Sequence, residues 1–583
     1  MMDRLARYVP ILSWGRAYSA RDLPGDLTAG LITAIMLVPQ AMAYAMLAGL
    51  PPQIGLYASI APPILYGIFG SSRALAVGPV AIASLMTATA LSALSAPGSA
   101  SYIANALVLS LLIGLILLVL GMVRAGFLVN FLSHPVISGF TSAAAILIVI
   151  SQLKLLMGID IPRGEAIATI VNVARHAGGT NPVTLAIGAG AMAILLMMRG
   201  PLAALLQRLE VPPVTAQFIT RSSPLLAVVL GIAVTAGWHL AETSSVAIVG
   251  AIPSGLPSLT VPSADMTIWR TLLPSAALIA FVSYLESVSV AKALAAKRRQ
   301  KVDADQELIG LGAANIAAAF TGASPVAGGF ARSMVNFAAG ANTPLASILT
   351  ALLLAVSVVF LTPLLHYLPQ AVLAATIVVA VVQLIDHRSF RRTWQYNKAD
   401  FAAQAVTFLV VLIVGVETGI ISGLVLSLLL YLWRSSRPHF AIVGQVGDSE
   451  HYRNVRRHKV RTDAAVLLFR IDENLYFPNA GYLEESLRAE VAANPEITDV
   501  VLILSSVSLV DASALETLDE LRETLHDAGI TLHLAEVKGP VMDRLQRTSF
   551  IENLAPGQVF LSTHDAVEYL RERLYADPYG SAI

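Results

Sequence analysis

Long apolar runs follow one another from residue 27 to residue 434, and polar or charged stretches separate them. A helix needs roughly 20 residues to cross the hydrocarbon core of a bilayer. The pattern therefore predicts about fourteen membrane spans. They lie near 27–48, 53–70, 78–94, 102–123, 135–158, 181–199, 224–240, 270–296, 304–322, 327–340, 344–364, 367–385, 400–416 and 417–434. The spans at 78–94 and 327–340 are short, and each follows Pro and Gly.

The pattern changes near residue 437, where the sequence becomes polar and charged. We interpret residues 1–436 as a transmembrane domain and 440–583 as a soluble domain. Apolar strand-like runs then alternate with helical patterns, which is typical of a small α/β domain. The predicted strands are AAVLLFRI, DVVLILSS, ITLHLAEV and QVFLS, and the predicted helices are DASALETLDELRETLHDAG, GPVMDRLQRTS and HDAVEYLRERLYA.

Composition supports a membrane protein and narrows its chemistry. The chain is 56% hydrophobic and 13% charged, against about 25% charged for an ordinary soluble chain. Its formal net charge is zero, so nothing points to nucleic acid as a partner. The chain has no cysteine, which excludes disulfides, thiolate metal sites and thiol catalysis. Since no metal-ligand spacing, phosphate-binding loop or catalytic triad stands out, we expect no cofactor, no metal and no enzyme activity.

Basic residues are concentrated in alternate loops. With fourteen spans and a cytoplasmic N-terminus, the loops SSR, MVRAG, MRGPLAALLQRLE, KRRQK and DHRSFRRTWQYNK all face the cytoplasm. The opposite loops hold almost no Lys or Arg apart from Arg163 and Arg175. This positive-inside bias places the C-terminal domain in the cytoplasm as well. The N-terminus lacks a secretory signal pattern, so we expect it to be uncleaved.

A weak internal repeat relates the two halves of the predicted membrane domain. Pro-Val-Ala occurs at 79–81 and again at 325–327, an offset of 246 residues, and the same offset carries Gln40 onto Glu286. Spans 1–7 and 8–14 would then be two copies of opposite orientation. Interrupted segments in corresponding positions of two halves indicate a transporter site near the bilayer midplane. Helix N-termini at such a site attract anions.

Glu286 lies in the middle of the apolar stretch AFVSYLESVSVAKAL. A charged side chain at the centre of a membrane helix is costly to insert. One interpretation is a packing role through a paired neighbour. The other is ion coupling, because burial favours the uncharged form of a carboxylate and lets it exchange a proton.

Gln40 and Tyr44 share one helix face because they are four residues apart. Both side chains can donate hydrogen bonds, and Pro39 directly precedes them. They could join neighbouring spans, or they could donate to an oxyanion.

Arg332 lies near the start of the short tenth span, in GGFARSMVN. A guanidinium beside a helix N-terminus would bind an oxyanion strongly, and Ser333 adds a hydroxyl. The alternative is that Arg332 reaches the membrane interface. Gly328–Gly329 argues against it, since glycine permits close backbone approach to a ligand. Gly78–Pro79 lies at the start of the third span in a similar way. It could allow close approach to a ligand, or it could be an ordinary helix start.

Asp511 and Ser513 fall at a predicted strand-to-helix junction in the soluble domain. Either residue could be a helix cap. The alternative is a regulatory or phosphorylation site.

The sequence resembles the sulfate permease (SulP) family of anion transporters over nearly its whole length. The similarity is carried by LVPQAMAYAMLAGLPPQIGLYASIAPPILYGIFGSSRALAVGPVA, ESVSVAKALAAK, DADQELIGLGAANI and FARSMVNFAAGANTPLA. LVDASALETL is similar to the core motif of a STAS domain. The motif in regulatory relatives reads Asp-Ser-Ser-Gly, whereas this chain has Asp511-Ala512-Ser513-Ala514, which leaves a phosphorylation switch open.

The resemblance implies a polytopic α-helical fold of seven plus seven inverted spans, split into core and gate subdomains and followed by a STAS domain. It implies an anion site between the starts of the third and tenth spans, Glu286 as the proton-coupling carboxylate, and a homodimer. The expected substrate-binding residues are Gln40, Tyr44, Gly78, Pro79, Val80, Ala81, Pro325, Gly328, Gly329, Arg332 and Ser333.

We therefore predict a secondary active anion transporter, with proton-coupled sulfate uptake as the expected activity. The expected partners are a sulfate-like oxyanion, a proton, the lipid bilayer and a second copy of the chain. The expected location is the plasma (inner) membrane. Bicarbonate or dicarboxylate transport, a passive anion channel and a membrane-tethered sensor acting through the STAS domain are the alternatives.

Overall fold

The computed structural model describes residues 8–131, 133–161 and 166–575. The chain divides into two compact units, Met1–Ser427 and Leu428–Ile583. The division falls inside the helix Val416–Ser435. The domain boundary at 436–440 stays a prediction, and so does the cytoplasmic N-terminus, whose first seven residues lie outside the described part of the chain.

The first unit consists of α-helices and two very short strands. Its helices are α1 (Ile11–Trp14), α2 (Leu23–Leu47), α3 (Pro52–Tyr57), α4 (Ala61–Phe69), α5 (Ala81–Ser92), α6 (Ala100–Met122), α7 (His134–Met157), α8 (Ala166–Arg175), α9 (Pro182–Arg199), α10 (Pro201–Arg208), α11 (Pro213–Arg221), α12 (Ser223–Gly237), α13 (Leu240–Thr243), α14 (Met266–Lys297), α15 (Ala304–Phe320), α16 (Phe330–Ala338), α17 (Leu345–Phe360), α18 (Gln370–Val381), α19 (His387–Tyr396), α20 (Lys398–Ile413) and α21 (Val416–Ser435). The strands are β1 (Val77–Gly78) and β2 (Ala327–Gly328). Short 3-10 helices cover Ala125–Phe131, Ala177–Gly179, Thr362–Leu365 and Val382–Leu384.

Every predicted span overlaps at least one of these helices. Within the described residues, seven helical segments are long and apolar enough to cross a membrane by length and composition. The predicted span at 53–70 is two helices, α3 and α4. The short third and tenth spans are α5, with 12 residues, and α16, with 9 residues. At about 1.5 Å per residue neither helix alone can cross the ~30 Å hydrocarbon core. The number of complete crossings stays a prediction.

Helix α14, which carries Glu286, and the following helix α15 both begin at aspartate caps. The Asp265 side chain accepts a hydrogen bond from Thr267 N, and the Asp303 side chain accepts from Asp305 N and Gln306 N. Such caps satisfy backbone donors that have no partner inside the helix. The sequence thereby fixes where these two helices begin.

Glycines allow α6 and α15 to pack with their backbones close together. A Cβ atom on Gly114 would lie 2.8 Å from Ile316 N and 2.9 Å from Gly312 O. A Cβ atom on Gly312 would lie 2.9 Å from Leu118 N. Small residues at helix contacts are typical of membrane bundles, because close approach maximises packing where no hydrophobic driving force joins the helices.

Two buried carboxylates connect the halves of the first unit, and the sequence analysis missed both. Glu307 Oε2 accepts from Tyr66 Oη at 2.7 Å, and Glu307 Oε1 accepts from the backbone N–H groups of Ser71 and Ser72 at 2.9 Å each. In the other direction, Asp26 Oδ1 accepts from Thr343 N at 3.0 Å. Both carboxylates are fully buried, and these bonds replace the water that burial removes.

The second unit contains a six-stranded sheet in the order β4-β3-β5-β6-β7-β8. Its strands are β3 (Phe440–Gln445), β4 (Tyr452–Asn454), β5 (Val466–Ile471), β6 (Asp499–Ile503), β7 (Thr531–Ala535) and β8 (Val559–Phe560), and its helices are α22 (Ala480–Ala493), α23 (Ala512–Asp527), α24 (Gly539–Leu545), α25 (Phe550–Asn553) and α26 (Thr563–Tyr575). Strands β5 to β8 are parallel, whereas β3 runs antiparallel to β4 and β5. Cores on the two faces of the sheet bury alternate residues, for example Leu467 on the α22 face and Leu468 on the α26 face.

All four predicted strands and all three predicted helices of this unit are present. The sequence analysis did not predict α22, nor β3 and β4 in the stretch after residue 437, which it described only as polar and charged. Strand β4 has only three residues, of which Arg453 is exposed. Such a short polar strand has no periodic signal.

Candidate functional site

Strands β1 and β2 form a buried two-stranded sheet in the first unit, which we call the β1–β2 crossing. They pair antiparallel, with Val77 opposite Gly328 and Gly78 opposite Ala327. Helix α5 begins at Ala81, and α16 begins at Phe330, shortly after the crossing. The N-termini of two short helices from opposite halves thus lie next to one strand pair. This arrangement exposes backbone N–H groups and the positive ends of two helix dipoles.

Buried polar side chains hold this crossing, and the sequence analysis missed three of the four. Ser287 Oγ accepts from Gly328 N at 2.8 Å, and Ser333 Oγ accepts from Ala76 N at 2.9 Å. Asn315 binds both backbone groups of Val326, and Asn336 donates to Ala74 O, at 3.0 to 3.1 Å. Asn315 in GAANIAAAF and Ser287 beside Glu286 are polar residues in apolar spans, which is the signal that could have identified them.

Arg332 lies in the first turn of α16 and is only 2% exposed. Its Nη2 donates to Pro79 O in the other half at 3.1 Å. Its Nε and Nη1 atoms are buried and have no hydrogen-bond partner within the described residues. A Cβ atom on Gly78 would lie 2.6 Å from Nη1, so a larger residue there would displace the guanidinium. The guanidinium therefore has two donor positions that no described residue occupies, and charged donors of this kind form strong hydrogen bonds to anions.

A cavity of about 40 Å³ lies beside this guanidinium. That volume is a few times the roughly 10–15 Å³ that one water needs. Gln40, Tyr44, Glu286 and Arg332 line it together with the first residues of α5 and α16. The structure thus brings four of the predicted polar site residues to one place, from three helices and both halves of the unit.

Gln40 and Tyr44 form a pair on α2. Gln40 Nε2 donates to Tyr44 Oη at 3.0 Å, while Gln40 Oε1 is buried without a partner in the described residues. Glu286 is partly exposed and faces the same cavity. No ion pair of 4.0 Å or less joins its carboxylate to a cation in the described part of the chain. The cavity therefore combines a guanidinium, a carboxylate, an amide and a phenol.

Some of the other predicted substrate-binding residues line the cavity, and others lie only near it at the crossing. Pro79, Val80, Ala81 and Gly329 line it. Gly78, Pro325, Gly328 and Ser333 are absent from its lining, and the Ser333 hydroxyl is directed to Ala76 N instead. Ala380, Val381 and Leu384 also line the cavity. They were not predicted, because apolar residues in an apolar span carry no distinguishing signal.

The two Pro-Val-Ala triplets hold different positions in the fold. Ala81 is the first residue of α5, whereas Ala327 is the first residue of β2 and α16 begins only at Phe330. The 246-residue offset is therefore not the structural offset between the two short helices. Gln40 and Glu286 do face one cavity, but the triplets alone do not make them equivalent positions.

In the second unit, the Asp511 carboxylate has a structural role. Its Oδ1 caps α23 by accepting from Ala514 N at 2.8 Å, and its Oδ2 accepts from Phe477 N at 2.9 Å. Ser513 is exposed in the first turn of the same helix. A regulatory role for either residue stays a prediction. Among the described residues, no cluster of His, Cys, Asp and Glu could hold a metal ion.

Two short helices whose N-termini lie beside a charged cavity in an apolar bundle are typical of an integral membrane transporter. A profile of the Sulfate permease family matches residues 23–407, and a STAS domain profile matches residues 457–566. The chain belongs to the sulfate permease family, whose members are anion transporters and not enzymes. The resemblance seen in the sequence, and the STAS assignment, are confirmed.

Named relatives agree with this assignment. The chain is 37% identical over 582 residues to Sulfate transporter 4.1, chloroplastic, of Arabidopsis thaliana, covering 97% of this chain and 83% of that protein. It is 33% identical over 570 residues to a probable sulfate transporter of Mycobacterium tuberculosis, covering 97% of this chain and 99% of that protein.

Solved structures share the fold. The murine Solute Carrier 26 family member A9 anion transporter, in an inward-facing state, matches with a TM-score of 0.90 at 24% identity, covering 98% of this chain and 95% of that chain. The transmembrane domain of the cyanobacterial bicarbonate transporter BicA matches with a TM-score of 0.60 at 23% identity, covering 70% of this chain and 98% of that chain.

Proposed function

We propose that this protein is a secondary active transporter that takes up sulfate together with protons. The observation that carries the proposal is the buried Arg332 guanidinium, which borders a cavity at two helix N-termini and whose Nε and Nη1 have no hydrogen-bond partner among the described residues. A small tetrahedral oxyanion supplies the acceptors that such a guanidinium and the helix N–H groups require. The names of the sulfate-transporting relatives support the same substrate.

The remaining groups of the cavity have roles that suit an oxyanion. Tyr44 and Gln40 supply donors from α2. Backbone groups at Val80–Ala81 and Gly329 complete the shell, while Gly78, Pro325, Gly328 and Ser333 shape the crossing that holds it.

Glu286 is proposed to carry the coupled proton. A doubly negative anion beside Arg332 and an ionised Glu286 would leave two uncompensated negative charges in a medium of low dielectric constant, and the anion would repel the Glu286 carboxylate. Uptake of a proton by Glu286 removes this repulsion, so anion and proton bind together. A monovalent anion would be repelled less by an ionised Glu286, so it would need the proton less. Proton coupling and a divalent substrate are therefore proposed together.

The proposal includes a location and an assembly. The positive-inside bias favours a cytoplasmic N-terminus and a cytoplasmic STAS domain in the plasma (inner) membrane. We further propose a homodimer, with Asp511 and Ser513 in a regulatory region of the STAS domain. Protease protection in oriented vesicles tests the topology, and mass photometry in nanodiscs tests the dimer.

Uptake into proteoliposomes tests the function. The purified chain is reconstituted, and uptake of labelled sulfate, bicarbonate and succinate is measured with and without an imposed pH gradient. We expect sulfate to accumulate above its external concentration only when the outside is more acidic. Downhill flux without accumulation would indicate a channel, preference for bicarbonate or succinate would change the substrate, and no flux would favour a sensor.

A further inference from the structure

Strand β3 separates from β5 partway along the sheet of the second unit. Their antiparallel register runs from Phe440–Ile471 to Ile442–Phe469, and β3 then continues to Gln445 paired with β4 on its other edge. The separated ends of the two strands border a cavity of about 380 Å³, which we name the β3–β5 slot. Pockets that hold small molecules have volumes of about 300–1,000 Å³.

The walls of the slot are mostly aliphatic and come from both faces of the sheet. Val443 and Val466 border it from the strands, Ile497 from the α22 side and Val567 from α26. All four are less than 9% exposed. An apolar wall of this kind binds the apolar body of a ligand by removing both surfaces from water.

One buried acceptor in the slot has no partner. Gln445 is 4% exposed, and its Nε2 donates to Ser449 O at 3.1 Å. Its Oε1 has no hydrogen-bond partner within the described residues. A buried polar atom without a partner destabilises a fold, so its presence in a cavity points to a ligand that brings a donor.

Arg571 supplies a cation at the same cavity. It forms no ion pair of 4.0 Å or less within the described chain, whereas the slot's other guanidinium, Arg461, is bound to Asp448. Gln445 and Tyr452 are register partners, so their side chains share one face of the sheet. Tyr452 Oη lies 3.3 Å from His564 Nδ1, which makes this the α26 face that Arg571 also borders.

We propose that the β3–β5 slot is a binding site for a small amphipathic anion. The ligand has an apolar body for the aliphatic walls, one carboxylate-type group for Arg571 and one N–H or O–H group for Gln445 Oε1. Two carboxylates also border the slot: Glu490 from α22, on the opposite face, and Asp463, whose Oδ1 accepts from Ala465 N at 3.0 Å. The site is separate from the anion cavity of the first unit and gives the STAS domain a ligand of its own.

Indole-3-propionate is a probe with all three features. Its binding to the full chain in lipid nanodiscs is measured by equilibrium dialysis, with empty nanodiscs subtracted. Two analogues test the contacts separately: 1-methylindole-3-propionate lacks the N–H donor, and indole-3-propanol lacks the charge. We expect one saturable site per chain and weaker binding of both analogues.

Three variants assign the site. Arg571→Met should weaken indole-3-propionate by at least about tenfold but leave indole-3-propanol unchanged, as the loss of a charged hydrogen bond predicts. Gln445→Met should remove the difference between the N–H and N-methyl probes. Arg547→Met, at an exposed arginine of the same unit outside the slot, is the matched control and should bind like the unmodified chain.

A labelling experiment keeps the test decisive if a variant misfolds. Because the chain has no cysteine, Val455→Cys introduces a single thiol in the slot lining. Indole-3-propionate should slow its alkylation by a maleimide. The proposal would be overturned if indole-3-propionate showed no saturable binding. It would also be overturned if Arg571→Met and Gln445→Met bound the probes like the unmodified chain, or if the probe did not slow alkylation.

Discussion

At the scale of single residues, Arg332 and Ser287 have complementary tasks in the cavity region. Arg332 contributes a charge, and among the described residues only the Nη2 atom of its guanidinium has a hydrogen-bond partner, Pro79 O. Ser287 is fully buried, donates to Ser283 O at 2.5 Å and accepts from Gly328 N at 2.8 Å. Arg332 is proposed to bind the anion, and Ser287 holds β2, the strand that leads into α16.

Arg332→Ala should weaken sulfate binding while the protein stays folded. The loss of a charge-assisted contact costs about 1.5–3 kcal/mol, which corresponds to roughly 10–150-fold in affinity. The measurement is a binding isotherm of labelled sulfate on purified protein, with thermal unfolding as the fold check. Arg270→Ala, at an exposed arginine near the start of α14 that does not line the cavity, serves as control. An unchanged isotherm for Arg332→Ala would show that Arg332 does not bind sulfate.

Ser287→Ala should destabilise the protein by about 1–3 kcal/mol, because it leaves the buried Gly328 N–H without an acceptor. Since Gly328 precedes α16, the KM for sulfate uptake should rise as well. Thermal unfolding and uptake kinetics are measured beside Ser289→Ala, the same change at an exposed position of the same helix. Identical behaviour of the two variants would contradict the positioning role.

The polar candidates were accessible to sequence reasoning to different degrees. Glu286 and Arg332 are charges in apolar stretches, and their cost of insertion makes them conspicuous. Ser333 was predicted to lie near the substrate. It does lie in α16, next to Arg332, but its hydroxyl accepts a hydrogen bond from Ala76 N. Which way this hydroxyl points depends on the rotation of α16 about its axis, and the sequence pattern around Ser333 does not determine that rotation.

At the scale of elements, the β1–β2 crossing sets the position of α5 and α16. Helix-forming segments could be predicted because apolar length is a local signal. The crossing could not, because each strand has two residues and its partner lies about 250 positions away, a pairing that no local pattern encodes. In the second unit, β4 was missed for a different reason, because a strand of three partly polar residues has no periodic signal.

Gly78→Ala should weaken sulfate binding without removing any charge. The new Cβ atom would lie 2.6 Å from Arg332 Nη1, so the guanidinium must move. A flexible side chain can shift, and the loss should therefore be smaller than the roughly 10–150-fold expected from removing the charged contact altogether. The isotherm is compared with that of Gly190→Ala, where nothing lies within 4 Å of the added atom. Equal affinities for the two variants would show that the glycine does not position the arginine.

At the scale of the whole molecule, the two compact units have separate hydrophobic cores. Val80 and Leu285 belong to buried regions of the first unit, while Phe469 and Leu502 belong to the core of the second. The change of composition near residue 437 made this division predictable, since a membrane bundle and an α/β sheet need different patterns. The separate cores also predict that the bundle can form without the STAS domain.

Deletion of residues 440–583 should leave the helical unit able to insert, because its backbone hydrogen bonds are satisfied within the membrane. Sulfate flux is expected to fall through lost dimer contacts or regulation. Membrane fractionation and protease protection of the truncated chain are compared with those of the full chain. A truncated protein that fails to insert would show that the two units depend on each other for folding.

The central claim is that Glu286 couples sulfate to the proton, and one variant tests it most directly. Glu286→Gln keeps the shape and hydrogen-bonding capacity of the side chain but cannot titrate. Uptake of labelled sulfate into proteoliposomes is measured at equal and unequal pH, beside Glu242→Gln as a control at an exposed carboxylate. The account predicts that Glu286→Gln still binds and exchanges sulfate but no longer concentrates it when the outside is acidic, whereas the control does. If Glu286→Gln concentrates sulfate in response to the pH gradient, Glu286 is not the coupling residue.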